Sequence, residues 1–354
     1  MVEVKTMKSW KKVLSLLLAL LMLASLAACG VTDGSKPAPQ AEQKTEQTTG
    51  QSGDTAGQTP AKSDGKKLVI GCTVYYMSEF VTLMVNGIEA GAKEMGAELK
   101  LLDANRDPAK QMSQVEGLIA EKVDVLLVAP VHSDSSVPVL ELAKKANIPI
   151  VILNTELNTK DPYYFVGPND VEAGELLMKD VAKRIGNKGN IVILEGPIGH
   201  SAQIQRKQGI DNVLKQNPDI KVLAVKTANW NRDEAINTIE NWLQAFEAQG
   251  INAVVAENDE MALGALQAVE AKGIKKNVVI GGVDAIKDAC MRINEGRMEV
   301  TILQDAEKEG RLGVDIALKL AKNEKIEYRN LIKMDTITKE DGSAKKLLDT
   351  IFAK

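Results

Sequence analysis

An α/β fold of two doubly wound parallel-sheet lobes is predicted by three features of this sequence. Beyond residue 66, short Val- and Ile-rich runs alternate with longer segments of helical period, the rhythm of parallel strands covered by helices. The runs are nearly continuous in apolar residues, so both faces of each strand must be buried. They also form two series, in a stretch longer than one ordinary core.

The first series of strands is expected at 67–74, 97–103, 123–128, 148–153 and 163–166. The second is expected at 190–194, 221–225, 251–256, 277–283 and 300–303. Between them lie amphipathic stripes. Phe80, Leu83, Met84, Gly87, Ile88 and Gly91 mark one helix, and Ile236, Ile239, Leu243 and Phe246 mark another from about 231 to 249. Segments after Gln304 are expected to cross back and complete the first lobe. The domain reading is therefore 67–168 with 305–331 for the first lobe, and 169–304 with 332–354 for the second.

The first 66 residues are of another kind. Lys5, Lys8, Lys11 and Lys12 precede an apolar run from Val13 to Leu26, the order of a secretory signal and too short for a comfortable membrane span. The run ends in Leu26-Ala27-Ala28-Cys29-Gly30, which resembles the lipobox of bacterial lipoprotein precursors, so 1–29 is expected to be a signal peptide with Cys29 as the lipidated residue. Residues 30–66 are dominated by Gln, Thr, Ser, Gly, Pro, Ala and Lys, with Val31 their only large hydrophobe. Such a stretch buries too little to offset its ordering entropy and reads as a flexible polar tether. The expected location is extracytoplasmic, anchored by lipid to the outer face of a cytoplasmic membrane as in Gram-positive bacteria.

Composition narrows the function. The net charge is −4 and lysines are spread along helix faces, so no nucleic-acid partner is expected. His132 and His200 are the only histidines and no ligand spacing recurs, so neither metal nor cofactor is expected. Gly196 to Gly199 lacks the third glycine of the dinucleotide fingerprint and the Lys-Ser/Thr ending of a phosphate loop. No nucleophile with its base is apparent, and the reading is that the chain is not an enzyme. Cys72 and Cys290 read as buried thiols.

In open doubly wound sheets, ligands bind beyond the carboxyl ends of the strands. The residues placed there are Ser78, Glu79 and Phe80, Asn154, His200 followed by Arg206, Trp230, Asn258, Asp284 and Gln304. A sugar offers apolar C–H faces that stack on rings and hydroxyls that both donate and accept hydrogen bonds. Amides, a carboxylate and a guanidinium supply directional partners for those hydroxyls, and Phe80 and Trp230 supply the rings. Each position also has a plainer reading. Asp259 and Asp284 precede helices and are candidate N-caps, with the cap favoured for Asp259. Arg206 and His200 taken alone read as surface residues, and Trp230 as a staple on the helix that follows.

Residues 67 to about 339 resemble the periplasmic sugar-binding proteins of ABC importers, in the branch of the ribose and galactose/glucose binders. The most specific stretch is Ala256-Glu257-Asn258-Asp259-Glu260-Met261-Ala262-Leu263-Gly264-Ala265, supported by Gly282-Val283-Asp284-Ala285, Ile148-Pro149-Ile150 leading to Asn154, and Tyr163-Tyr164-Phe165-Val166-Gly167. The resemblance implies the type I periplasmic binding protein fold, two lobes on a hinge that close over a monosaccharide and present it to the permease subunits of an ABC transporter. It implies that Phe80 and Trp230 sandwich a pyranose, that Asn154, His200, Arg206, Asn258 and Asp284 bond its hydroxyls, and that Gln304 lies at the cleft. Asn154-Thr155 stands where ribose binders have an Asp-Arg pair, which favours a hexose pyranose such as galactose or glucose. Ser78-Glu79, Ala202 and Gln304 depart from the galactose/glucose pattern, and the calcium loop is replaced by Gly186-Asn187-Lys188-Gly189. A monomer is expected. The competing reading is a sensor that presents the sugar, or a furanose-like signal, to a membrane kinase or chemoreceptor.

Overall fold

The computed structural model describes residues 67–353; the expected signal peptide, the tether and Cys29 lie outside the described residues. The expected strands are present in both series. The first comprises β1 (Val69–Val74), β2 (Glu98–Asp103), β3 (Val125–Val128), β4 (Ile150–Leu153) and β5 (Tyr164–Pro168). The second comprises β6 (Gly189–Glu195), β7 (Ile220–Thr227), β8 (Ala253–Ala256), β9 (Val279–Asp284) and β10 (Val300–Gln304). The sequence reading missed β11 (Arg329–Ile332) and β12 (Met334–Thr338), which are short edge strands of mixed polarity without a continuous apolar run.

These strands form two six-stranded sheets with the same winding, β11-β5-β4-β3-β1-β2 and β12-β10-β9-β8-β6-β7. The pairings are parallel, as in β1 with β3 and β6 with β8, except where β12 returns antiparallel along β10. In both sheets the order reverses about the opening strand, β1 or β6, which is where such folds bind ligands. The two sheets belong to two lobes of one α/β architecture.

Helix packing sets the site. Helices α1 (Glu79–Glu94), α2 (Pro108–Ala120) and α3 (Pro138–Ala146) follow the first strands, and α4 (Asp170–Arg184) follows β5. In the second lobe come α5 (Ser201–Leu214), α6 (Arg232–Ala245), α7 (Asp259–Ala271) and α8 (Lys287–Glu295), then α9 (Ala306–Ala321) and a final α10 (Ser343–Thr350). Helix α9 leaves the second sheet and packs on α1, β3 and β4 of the first lobe. It approaches α1 backbone to backbone: a Cβ on Gly87 would sit 2.1 Å from Glu307 O, and one on Gly310 would sit 2.1 Å from Met84 O. The α4–α5 pair repeats the arrangement, with Gly174 against Arg206 O and Gly209 against Val171 O.

The apolar runs do become the core. Ile70, Cys72, Leu127, Leu153, Ile193, Val254 and Ile280 are fully buried, and removal of such side chains from water is the main force for folding. Both Cys72 and Cys290 are free and buried. Burial pushes the Cys72 thiol up to about 12.

Candidate functional site

The carboxyl ends of the two sheets are bridged. Thr155 Oγ1 meets His200 Nε2 at 3.0 Å, Glu156 N donates to Ser201 Oγ at 2.8 Å, and Ser133 N donates to Gly199 O at 3.0 Å. On the far side Arg106 donates to Asn229 O at 2.7 Å while lying over the Tyr76 ring at 3.8 Å. A pocket lies at this junction of the strand ends. Nine of the ten predicted ligand residues line it: Ser78, Phe80, Asn154, His200, Arg206, Trp230, Asn258, Asp284 and Gln304. Glu79 does not line it. Its Oε1 accepts from Lys287 N at 3.2 Å, so the carboxylate is occupied in linking α1 to α8 across the lobes.

Arg206 is the centre of the site, and the α4–α5 crossing puts it there. Its Nε donates to Asp170 Oδ1 at 2.8 Å, one terminal nitrogen donates to Glu257 O, and the other donates to Gln304 Oε1 at 2.8 Å. Asp284 Oδ1 stands 3.9 Å away. Arg206 is buried, which opposes its charge, but the facing Asp170 and Asp284 carboxylates hold its pKa above the usual value. Burial acts in the opposite sense on Asp284, raising it to about 7 against the pull of Arg206. The surface reading of Arg206 is thereby excluded.

The amides are equally constrained. Asn154 Oδ1 accepts from Tyr75 Oη at 3.2 Å, and Asn258 Oδ1 caps α7 by accepting from Met261 N at 3.0 Å. Capping had been expected of Asp259; instead Asp259 is buried, with Oδ1 accepting from Thr301 Oγ1 at 2.7 Å and Oδ2 from Ile286 N at 3.0 Å. It thus fixes the turn that carries Asp284. Ser78 Oγ caps α1 by accepting from Val81 N at 3.2 Å. Asn154, Trp230 and Asp284 hold φ of 61°, 56° and 127°, a backbone region that L side chains rarely occupy and one concentrated at binding sites.

Rings form the remaining wall. The Trp230 indole lies against the backbone of Gly196, where a Cβ would stand 2.0 Å from Trp230 Cζ2, so the glycine is what gives the ring its place. His200 packs edge-on to both Tyr75 and Trp230. Its Nδ1 accepts from Ala202 N at 3.3 Å, and burial followed by the charge of Arg206 lowers its pKa to about 3. A neutral ring accepting at Nδ1 carries its proton on Nε2, which then donates to Thr155 Oγ1. The sequence reading gave His200 a hydroxyl of the ligand; in this structure both of its nitrogens have protein partners.

Residues 70–325 match the family model described as the periplasmic binding protein domain. The chain belongs to that family. It is 45% identical to the xylitol-binding protein of Mycolicibacterium smegmatis over 81% of each chain. It is 32% identical to the ribose import binding protein of Bacillus subtilis, covering 76% of this chain and 87% of that one. Among solved structures, an ABC transporter solute binding protein from Bacillus halodurans with bound myo-inositol superposes with a TM-score of 0.77 at 36% identity, covering 80% of this chain and 98% of that one. Within the periplasmic binding protein family the chain falls among the sugar- and polyol-binding solute-binding proteins of ABC transporters, whose members named here are binding proteins rather than enzymes.

In this periplasmic binding protein, sequence reasoning passed over Tyr75 and Tyr76, which also line the cavity. A signal was present, since both directly follow β1. It also passed over three buried acids: Asp170 and Glu309, whose carboxyls touch lining residues from behind, and Glu257, whose backbone carbonyl accepts from Arg206 while its carboxyl accepts from Gly196 N. Glu257 directly follows β8 and carried the same signal, whereas Asp170 and Glu309 carry no mark in the sequence that distinguishes them from solvated helix carboxylates.

Proposed function

We propose that the chain is an extracytoplasmic lipoprotein, anchored through Cys29, that encloses one monosaccharide or polyol of about six carbons between its lobes and delivers it to the permease of an ABC transporter. The observation that carries this reading is the cavity wall itself. It combines aromatic faces with the Arg206 guanidinium, the Asp284 carboxyl and the amides of Asn154, Asn258 and Gln304. That set matches a small ring with apolar faces and a belt of hydroxyls, and it matches neither a phosphate nor a peptide. The relatives named for xylitol, ribose and myo-inositol support the class of ligand. A hexose pyranose remains part of the proposal because Asn154 and Thr155 offer neutral groups at this position and Phe80 and Trp230 offer two rings.

A net hydrogen bond contributes about 1 kcal/mol, so several of them with ring stacking are required for roughly micromolar binding, about 8 kcal/mol. Closure of the lobes is driven by contacts made to the ligand only in the shut form. The test is a thermal-shift screen with xylitol, myo-inositol, D-ribose, D-glucose and D-galactose, followed by calorimetry, since a ligand selective for the folded state raises Tm. Indifference of the protein to all five removes the basis for the proposal. The anchor is tested separately: Cys29→Ala should move the protein from the membrane fraction to the medium.

A further inference from the structure

Glu309 lies on α9 between Glu307 and Gly310, the two residues whose backbones touch α1, so its position is fixed by the helix crossing. Its carboxyl is fully buried. Oε2 accepts from Asn154 Nδ2 at 3.5 Å and from Gln304 Nε2 at 3.3 Å, while Oε1 has no partner. Asn154 directly follows β4 of the first sheet and Gln304 ends β10 of the second, so a single oxygen receives one amide from each lobe.

An amide has a donor end and an acceptor end, and pinning the first aims the second. With both NH₂ groups on Glu309, Asn154 Oδ1 faces the Tyr75 hydroxyl and Gln304 Oε1 faces Arg206. We propose that Glu309 is a positioning residue for ligand selectivity: from behind the cavity it locks the orientation of two lining amides and so sets which donors and acceptors the closed site offers. This rests on the sugar or polyol reading of the site. Burial raises the Glu309 carboxyl to about 8, so near neutral pH it is mostly the uncharged acid, with Oε2 as the accepting carbonyl oxygen. Glutamine is then its near-isostere, and methionine a replacement of similar size without the acceptor.

Glu309→Met and Glu309→Gln are compared with the unaltered protein by two measurements. In ¹⁵N spectra without ligand, E309M should shift the side-chain NH₂ signals of both Asn154 and Gln304, and E309Q should leave them close to their original places. In calorimetry with xylitol, myo-inositol, D-ribose and D-glucose, E309M should change the ratio of the two tightest dissociation constants by about fivefold or more, with E309Q restoring it to within about twofold. Unmoved amide signals in folded E309M overturn the proposal. So does a uniform loss across the sugars with the ratio intact, which is the mark of damaged packing alone. If the unaltered protein binds none of these four nor D-galactose, the sugar reading fails and the selectivity role falls with it, whereas a bound ligand with an unchanged ratio removes only the role of Glu309. Should E309M not fold, Asn154→Leu replaces it: a stationary Gln304 signal there overturns the proposal and a displaced one supports it.

Discussion

Arg206 Nε and Asp170 Oδ1 stand 2.8 Å apart at the crossing of α4 and α5, with both side chains sealed from water. The pair is a device for holding a cation at a cavity wall. Removing one partner of a buried ion pair strands the other, at about 3–5 kcal/mol. Arg206→Met should therefore lower stability by that amount as well as weaken ligand binding by 100-fold or more. Urea denaturation and calorimetry on the same sample check both, and a variant that loses affinity at full stability contradicts the pairing.

Gly196 and Trp230 yield a gentler test. A methyl group at Gly196 has no room against the indole, and the ring can yield only by leaving its place on the wall. Gly196→Ala should cost about tenfold or more in affinity while far-ultraviolet circular dichroism is preserved. Trp230→Ala should do the same. Unchanged binding by Trp230→Ala would falsify the stacking role.

Arg106 reaches across the lobes to Asn229 O and lies on Tyr76, contacts made at an exposed edge of the cleft. Loss of this bridge should favour the open form with little effect on folding. Arg106→Ala is expected to raise the ligand off-rate about three- to tenfold in stopped-flow fluorescence, with Tm of the unliganded protein within about 2 °C. An unaltered off-rate assigns the bridge no part in retention.

Stability should depend on pH through the buried acids. Asp284 and Glu309 are raised to about 7 and about 8 chiefly by burial, and Glu257 and Asp259 are raised as well. Above the ordinary carboxyl range the unfolded chain has released protons that the folded protein still holds, so stability falls as pH rises, by about 1.4 kcal/mol per pH unit for each such proton. His200 acts in reverse: with its folded value near 3, its contribution is complete above about 6.5 and is lost as pH falls below that. Between pH 6.5 and 8 the acids act alone, and Tm should decline, less steeply in E309Q. A flat profile in both proteins refutes the assignment.

The strands and the site's edge residues were legible in the sequence for one reason, that both depend on near neighbours along the chain. A buried parallel strand must be apolar over its length, and the residue after it must reach the carboxyl edge, so Asn154, Trp230, Asp284 and Gln304 fell on the cavity wall. Tyr75 and Tyr76 obey the same rule and were available to it. Edge strands β11 and β12 were not legible, because strands with one open side need no continuous apolar run.

What the sequence by itself determined is the alternation of strand and helix, its doubling, and the polar and aromatic chemistry at the strand ends. Only the tertiary structure decided which of those groups are free. It gave both nitrogens of His200 to protein partners, turned Glu79 to Lys287, moved the cap from Asp259 to Asn258, and put Asp170 and Glu309 behind Arg206 and the amides. Those outcomes depend on pairs of residues far apart in the chain, brought together where helices cross at glycine, and on burial that no local pattern records.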